Sequence, residues 1–528
     1  VTTAGEDNIL YRGRLLYPER GPSRFAERLA AAAEAGPARL YLVPSPGLGY
    51  GLAALLAAAD EDSSILCVEE DPVLAAFTFP RLKAEFEGNR RLAFVEGLDQ
   101  GRLLAAAREL GGFRRVVLVK LSGGAAFHEA VYARAALLLD EEFRAHWRNR
   151  ASLLAMGRLW TRNIFRNLAA FDENLFLPLP RSGKPVVVCG AGPSLETCLA
   201  LLSSLRERIF IVAADTAIGT LIAAGVVPDL VVCLEAQVYN LRDFIPLEGR
   251  PVALLADLSS HPATFRAASG TKHLSIVTID EGAFMRRLAS SALPALVCPP
   301  LGSVGVQAVH IARRIAEDAV FATGLDFSFI AGKSHARGTP ALLAEELAEG
   351  RLGRRRSQPG LAYRPGVRRT ETGELTDPVL SGYAALLAEE ITRPGPVFYD
   401  MRGRGLPLGA RRLGLEEAER ALRALPMPSG APDATGAASA EKFDAVGFLE
   451  GEVERLADLE TALKGRSGKE SREGLAAAIL DSDYLLWSLP DRERLAALPQ
   501  DLLNRVLVET EYWIWRLEEI LATAMPSR

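Results

Sequence analysis

The stretch "VVVCGAGPSLETCL", Val186–Leu199, decides how this chain is read. Apolar residues run into Gly190-Ala191-Gly192, then Pro193 and Ser194, and helix-like sequence resumes. An apolar strand, a glycine turn and a helix open the nucleotide-binding βαβ units of parallel sheets. The usual Gly-x-Gly-x-x-Gly pattern fails at its last member, because position 195 is Leu. Two glycines at a strand end let backbone amides turn outward with no Cβ in the way. Pro193 suits the first helical position with Gly192 as its cap. Ser194 adds a hydroxyl beside the unpaired N–H groups of the first turn. The expectation is a helix N-terminus that meets a nucleotide phosphate; a purely structural turn is the alternative.

Working outward, "RIFIVAAD", "PDLVVCLE", "PVALLAD", "HLSIVTI" and "DAVFATGLDF" are further strand candidates, with helical stretches between several of them. Continuous apolar strands alternating with helices predict a parallel or mostly parallel sheet covered on both faces. Upstream, from Arg39, "RLYLVPSPGLGYGLAALLAAADEDSSILCVEEDP" repeats the pattern with Gly47, Gly49 and Gly51. Glu69 stands about where a ribose-binding acid belongs. That turn either holds a nucleoside or methyl donor, or its glycines only let a helix pack close to the sheet. "RLAFVEG" and "RRVVLVKL" supply two more strands. Residues 125–180 recur at helical spacing and form a connector. "PMPSGAPDATGAASAE" (426–441) is a linker in composition, followed by amphipathic helices at about 441–466, 470–489 and 498–524. Trp513 and Trp515 there belong to core or interface.

The fold class is therefore α/β. It comprises an N-terminal Rossmann-like unit (1–124), the helical connector (125–180), a central doubly wound, mostly parallel domain (181–425), the linker, and a C-terminal helical bundle (442–528).

Bulk properties narrow the function. The net charge of −5 over 528 residues gives no electrostatic case for nucleic acid. No window reaches the ~18 apolar residues of a membrane span. The opening "VTTAGEDNIL" lacks the apolar run of a secretory signal, so the expected compartment is the cytoplasm. Five cysteines without C-x-x-C spacing read as buried thiols. Six histidines without H-x-x-x-H spacing assign no metal ligand. "RLGRRRSQPGLAYRPGVRR" carries seven arginines between 351 and 369. It is either a solvated loop or a source of anion ligands beside a phosphate site.

Several segments in order carry a resemblance. "GAGPSL", "AADTAIGTLIAAGVVPDLVV" and "GSVGVQAVHIARRIAEDAVFATGLDFSFIAGKSHARGT" closely resemble the motility-associated factor (Maf) family of flagellin glycosyltransferases. Their central domain is shared with MptE-like 6-hydroxymethylpterin diphosphokinases, and the first motif is similar to that of bacterial CMP-sialic-acid sialyltransferases. "AYRPGVRRTETGELTDPVLSGYAALLAEEI" and "VFYDMRGRGLPLGA" extend the likeness, which covers most of the chain.

The resemblance implies transfer of a nonulosonic acid, of pseudaminic or legionaminic type, from a CMP-sugar to Ser/Thr hydroxyls of flagellin. The CMP-sugar is then a substrate; no resident cofactor is implied, and divalent-metal dependence stays open. By position, Gly190, Ala191, Gly192, Pro193 and Ser194 approach the nucleotide. Asp215 faces the nucleoside from the end of the next strand. Gly302 and Ser303 open a helix that meets a phosphate or the sugar carboxylate. Gly324 and Asp326 lie in "TGLDF"; Gly324 and Glu235 are assigned to the nucleotide and Asp326 to catalysis. His335, in the loop beyond, is the candidate general base, since a near-neutral histidine suits removal of a hydroxyl proton; Lys333 beside it reads as solvated. The diphosphokinase relatives carry an acidic pair after the Pro-Asp strand, whereas here Glu235 stands there alone. A metal-dependent pyrophosphokinase, a non-enzymatic flagellin-binding assembly factor and, distantly, a methyltransferase remain as alternatives.

Overall fold

The computed structural model describes all residues except 4, 174–175, 280–281, 331–332, 348–349, 351–365, 427–441, 466–469 and 525–528. Nearly all of the linker and most of the arginine run therefore lie outside the described residues. The chain forms two compact units, Val1–Leu154 and Ala155–Arg528. A helix spanning Glu129–Ala169 runs through that division and occupies most of the span read as a connector.

In the first unit, four parallel strands lie in the order Leu92–Glu96, Ser64–Glu69, Arg39–Pro44, Arg115–Leu118. Strand Arg39–Pro44 is almost wholly buried, as its unbroken apolar run requires. Gly47, Gly49 and Gly51 all take positive φ. The turn they form is packed by protein. The Tyr17 hydroxyl accepts from the Leu48 N–H (3.0 Å) and donates to the Pro46 carbonyl (2.9 Å). A Cβ at Gly47 would stand 2.6 Å from that hydroxyl, and one at Gly51 2.8 Å from the Ala26 carbonyl oxygen.

The second unit is built on nine parallel strands. In chain order they are β1 (Val186–Cys189), β2 (Phe210–Ala214), β3 (Leu230–Cys233), β4 (Ala253–Asp257), β5 (Lys272–Val277), β6 (Ala295–Cys298), β7 (Ala319–Thr323), β8 (Val397–Asp400) and β9 (Arg411–Arg412). Their spatial order is β6-β5-β4-β3-β2-β1-β7-β8-β9. The direction of winding reverses between β1 and β7, and ligands of open α/β sheets bind outside the carboxyl ends of the strands at such a switch point. The doubly wound class read from the sequence is the fold found. Three strands escaped that reading. β6 is largely not buried, so its apolar pattern is short, while β8 and the edge strand β9 are short and carry Asp and Arg.

The C-terminal helices are Ala445–Gly465, Glu470–Asp481 and Gln500–Ala524. The middle one ends earlier than its apolar pattern predicts, because a 3₁₀ turn at Asp483–Leu486 takes over. Trp513 is core, edge-on to Phe165 and Tyr484, whereas Trp515 is exposed. The bundle is pinned to the central domain by Glu452, which is fully buried and gripped by the Arg287 guanidinium at 2.8 Å. Tyr484 donates to the same carboxylate at 3.3 Å.

Arg287→Met would strand that carboxylate in a dry interface, a class of change that costs about 3–5 kcal/mol. The Arg455 guanidinium stays 3.2 Å from Glu452, so the loss falls at the low end. Urea unfolding followed by tryptophan emission checks this; an unchanged midpoint would remove the pair from what holds the bundle.

Candidate functional site

The turn after β1 and the loop after β7 are locked together at the switch point. Gly190 N–H donates to the Thr323 carbonyl (2.9 Å) and Gly192 N–H to the Gly324 carbonyl (2.7 Å). Ser194 N–H donates to Asp326 Oδ2 at 2.8 Å, and the Ser194 hydroxyl donates to Asp326 Oδ1 while accepting from Gly324 N–H at 3.0 Å. A Cβ at Gly190 would collide with the Gly324 carbonyl, and one at Gly192 would stand 2.7 Å from Asp326 Oδ2. Gly324 takes φ +70°, but Gly190 and Gly192 have ordinary φ, so those two are needed for closeness alone.

This corrects one expectation. The amides of Gly190, Gly192 and Ser194 do not turn outward; they are spent on the neighbouring loop. The helix starts at Leu195 with Ser194 as its cap residue, rather than at Pro193 with Gly192 as cap. Ser194 and Asp326 are both buried, so the pair acts as a strut between two loops.

Other sequence-selected residues gather around this strut. The loop holding His335 crosses the carboxyl ends of β1 and β2. Ala336 N–H donates to the Ala191 carbonyl (2.8 Å), and Thr220 donates to the Arg337 carbonyl (2.7 Å). Glu196 accepts from Arg337 N–H and pairs with Lys333, both at 2.6 Å. Lys333 is thus ion-paired and not merely solvated, and the partner Glu196 was not singled out, although an acid in the first turn of a helix is a readable signal. His335 is half-buried, with Nδ1 3.0 Å from the Ser334 hydroxyl. Gly302 and Ser303 precede helix Val304–Ile315. The Leu325 side chain lies where a Cβ on either Gly190 or Gly305 would go, which brings that helix start to the switch point. Ser303, its cap, makes no side-chain capping bond to the helix amides.

Asp215 follows β2 and is buried with both oxygens engaged. Oδ1 accepts from Thr216 N–H (2.8 Å) and Oδ2 from Asn240 (3.0 Å). Burial raises its carboxyl pKa, against these hydrogen bonds. Asn240 and Asp243, on the segment after β3, were missed because nothing local marks them. Glu235 accepts from Gln237 N–H at 2.9 Å. Asp229 lies at the amino edge of the sheet, tied to Arg206 and Ile211 N–H at 2.7 Å each. The two acids flanking β3 therefore stand at opposite edges. Among the described residues no three or more His, Cys, Asp or Glu converge as a metal site, and no helix is long and apolar enough to cross a membrane. All five cysteines are buried.

Two asparagines on the end of the Glu129–Ala169 helix fix the loops beyond β3 and β4. Asn163 donates to the carbonyls of Ala236 (3.0 Å) and Ser259 (2.9 Å). Asn167 donates to those of Leu258 (2.8 Å) and Ser260 (2.9 Å). The helix thus positions one whole side of the crevice.

Residues 162–332 match the family model described as 6-hydroxymethylpterin diphosphokinase MptE-like. An uncharacterized protein of Treponema pallidum (strain Nichols) is 31% identical over 347 residues, 64% of this chain and 60% of that protein. A second uncharacterized protein of the same organism is 33% identical over 99 residues, 18% of this chain and 46% of that one. The chain thus spans less than two thirds of either relative's length. Among solved structures, the MAf glycosyltransferase from Magnetospirillum magneticum AMB-1 is similar with a TM-score of 0.57 and 15% identity, over 99% of this chain and 90% of that one. Residues 162–332 are thus similar to the MptE-like family, and the chain shares its fold with that glycosyltransferase.

Burial, and then the negative charge of Asp215, push the Asp243 carboxyl from 3.8 up to about 6. Over that window the native protein binds more protons than the unfolded chain, so this group makes stability fall as pH rises. Asp243→Asn abolishes that contribution. Thermal midpoints of variant and parent should lie closest below about pH 4, separate in the variant's favour up to about pH 6, and keep that gap above it. Parallel pH profiles would assign the slope to other groups.

Proposed function

We propose that the chain is a glycosyltransferase that moves a nonulosonic acid from a CMP-sugar to Ser/Thr hydroxyls of flagellin. The observation that carries this reading is the gathering of the Gly190–Ser194 turn, Asp326 and the His335 loop at the β1/β7 switch point, in a chain whose fold matches a Maf glycosyltransferase along its length. The donor lies against the Gly190–Ser194 turn. Its phosphate or sugar carboxylate meets the start of the Val304–Ile315 helix at Gly302 and Ser303, where first-turn amides and a hydroxyl favour an anion. The Asp215–Asn240 pair faces the nucleoside. His335 takes the proton from the acceptor hydroxyl as its oxygen attacks the anomeric carbon and CMP departs. Asp326 is a positioning residue, because its carboxylate is fully engaged by Ser194.

The match to MptE-like diphosphokinases favours a second reading, metal-dependent pyrophosphoryl transfer from ATP. That chemistry needs a firmly held metal between phosphates and carboxylates. Glu235 stands after β3 without a neighbouring acid, while Asp229 is committed at the opposite edge.

Ligand-induced stabilisation separates the two, since a ligand bound only by the native state raises the thermal midpoint. CMP should raise it more than AMP, ADP or ATP with Mg²⁺; stabilisation by ATP with Mg²⁺ and none by CMP would establish the kinase. His335→Ala should lower transfer to flagellin by ~10²–10⁴-fold with CMP affinity nearly unchanged. Full activity would remove His335 from the chemistry, and lost affinity with intact turnover would make it a binding residue.

A further inference from the structure

On the far side of the Asp326 loop, the same sheet edge carries a cleft of about 850 Å³ that the proposed reaction does not use. Its floor is the carboxyl end of β8 and β9, and one wall is the short antiparallel pairing of Arg368–Arg369 with Leu375–Thr376. The opposite wall is apolar, Leu406 to Leu408. Leu406 N–H donates to the Asp326 carbonyl at 2.9 Å, so this wall is the back of the loop that faces the crevice.

The charge in this cleft is not balanced. Arg402 is fully buried behind it and grips Asp400 through Nε and Nη2, each at 2.8 Å. Arg412 lies 3.2 Å from that same carboxylate, so two guanidinium groups share one acid. Arg368 and Arg369 are exposed and bond only neutral groups, the Ser381 hydroxyl and the Gly373 carbonyl, each at 3.3 Å. Among the described residues neither has a carboxylate within ion-pair distance. The lining carries Arg368, Arg369 and Arg412 against Asp400 and Glu371, and the buried Arg402 and Glu374 behind it offset each other, which leaves an excess of one positive charge in the concave site. Isolated arginines on a convex surface are simply hydrated; arginines that line one concave site beside an apolar wall offer charged forks suited to a phosphate or carboxylate.

We propose that this cleft is a second ligand site, separate from the switch-point crevice, that binds a small molecule bearing a phosphate or carboxylate group through Arg368, Arg369 and Arg412. It stands whether or not the transferase reading does, because it rests on residues beyond the Asp326 loop that the proposed reaction does not use.

Calorimetric titration of the full chain with inorganic pyrophosphate at low ionic strength tests it, with citrate as a parallel arm. Saturable binding of pyrophosphate assigns the site to phosphates; binding of citrate alone assigns it to carboxylates. The double variant Arg369→Ala with Arg412→Ala should weaken the bound anion by at least roughly tenfold, since each charge-assisted bond contributes about 1.5–3 kcal/mol. Asp400 keeps Arg402 in that variant, so the thermal midpoint should hold; Arg368→Gln with Arg369→Gln gives the same reading if it does not. Glu371→Gln should tighten binding, and Arg420→Ala, on an exposed helix outside the cleft, should leave it unchanged. Absence of binding by both anions, equal loss in Arg420→Ala, or full affinity in both double variants overturns the proposal. Displacement of the anion by CMP also overturns it, because the cleft would then belong to the donor site. Should CMP not bind at all, the anion arms still decide the question.

Discussion

The close approach of two backbone segments at the β1/β7 switch point governs the second unit. Gly190 and Gly324 lie so near that a methyl group on either meets the other's carbonyl, and the gap is closed by the Ser194–Asp326 strut. Three neighbouring segments hang from this contact. The His335 loop is tied to the Ala191 carbonyl, the Leu406 segment to the Asp326 carbonyl, and Arg402 reaches across to the Leu325 carbonyl. One side of the sheet edge therefore cannot shift without the other.

The electrostatics of that edge follow from the same crowding. Burial raises the carboxyl pKa values of Asp215, Asp257 and Asp326, and each acid is held by hydroxyl, amide or backbone N–H donors. These acids close loops over the strand ends at β2, β4 and β7. Asp400 follows a different rule. It faces two guanidinium groups, so its loop is held by ion pairs instead. The edge thus divides into an acid-lined side and an arginine-lined side with the Asp326 loop as the partition.

How much of this was legible in the sequence depended on range. Strands β1 to β5 and β7 announced themselves through uninterrupted apolar runs, because a parallel strand buried on both faces has no reason to alternate. Strand β9 is two arginines, and no periodicity can declare that. The residues selected around Gly190, Asp326 and His335 do converge on the switch point, since loops after neighbouring parallel strands must emerge at one edge. What remained hidden was who bonds whom. Ser194 and Asp326 are 132 positions apart, and Asn163 and Asn167 act on loops beyond β3 and β4 from a helix that looked like a mere connector. Such pairings exist only after the sheet has formed.

The two glycine turns sharpen that lesson, because they share a local pattern and differ in what fills it. In both, an apolar strand runs into glycines and a helix, the form that in isolation reads as a phosphate loop. The first turn gives an amide to the Tyr17 hydroxyl and packs its Cα atoms against Tyr17 and Ala26. The second gives three amides to the loop of an adjacent strand. In each case the glycines serve close packing, the alternative that the residues left open from the start. An anion at this sheet edge must therefore be met by donors that the packing leaves unspent. At the crevice the start of the Val304–Ile315 helix offers them, since Ser303 makes no side-chain capping bond. The glycine motif locates the switch point, and in the proposed reaction its neighbours carry the chemistry.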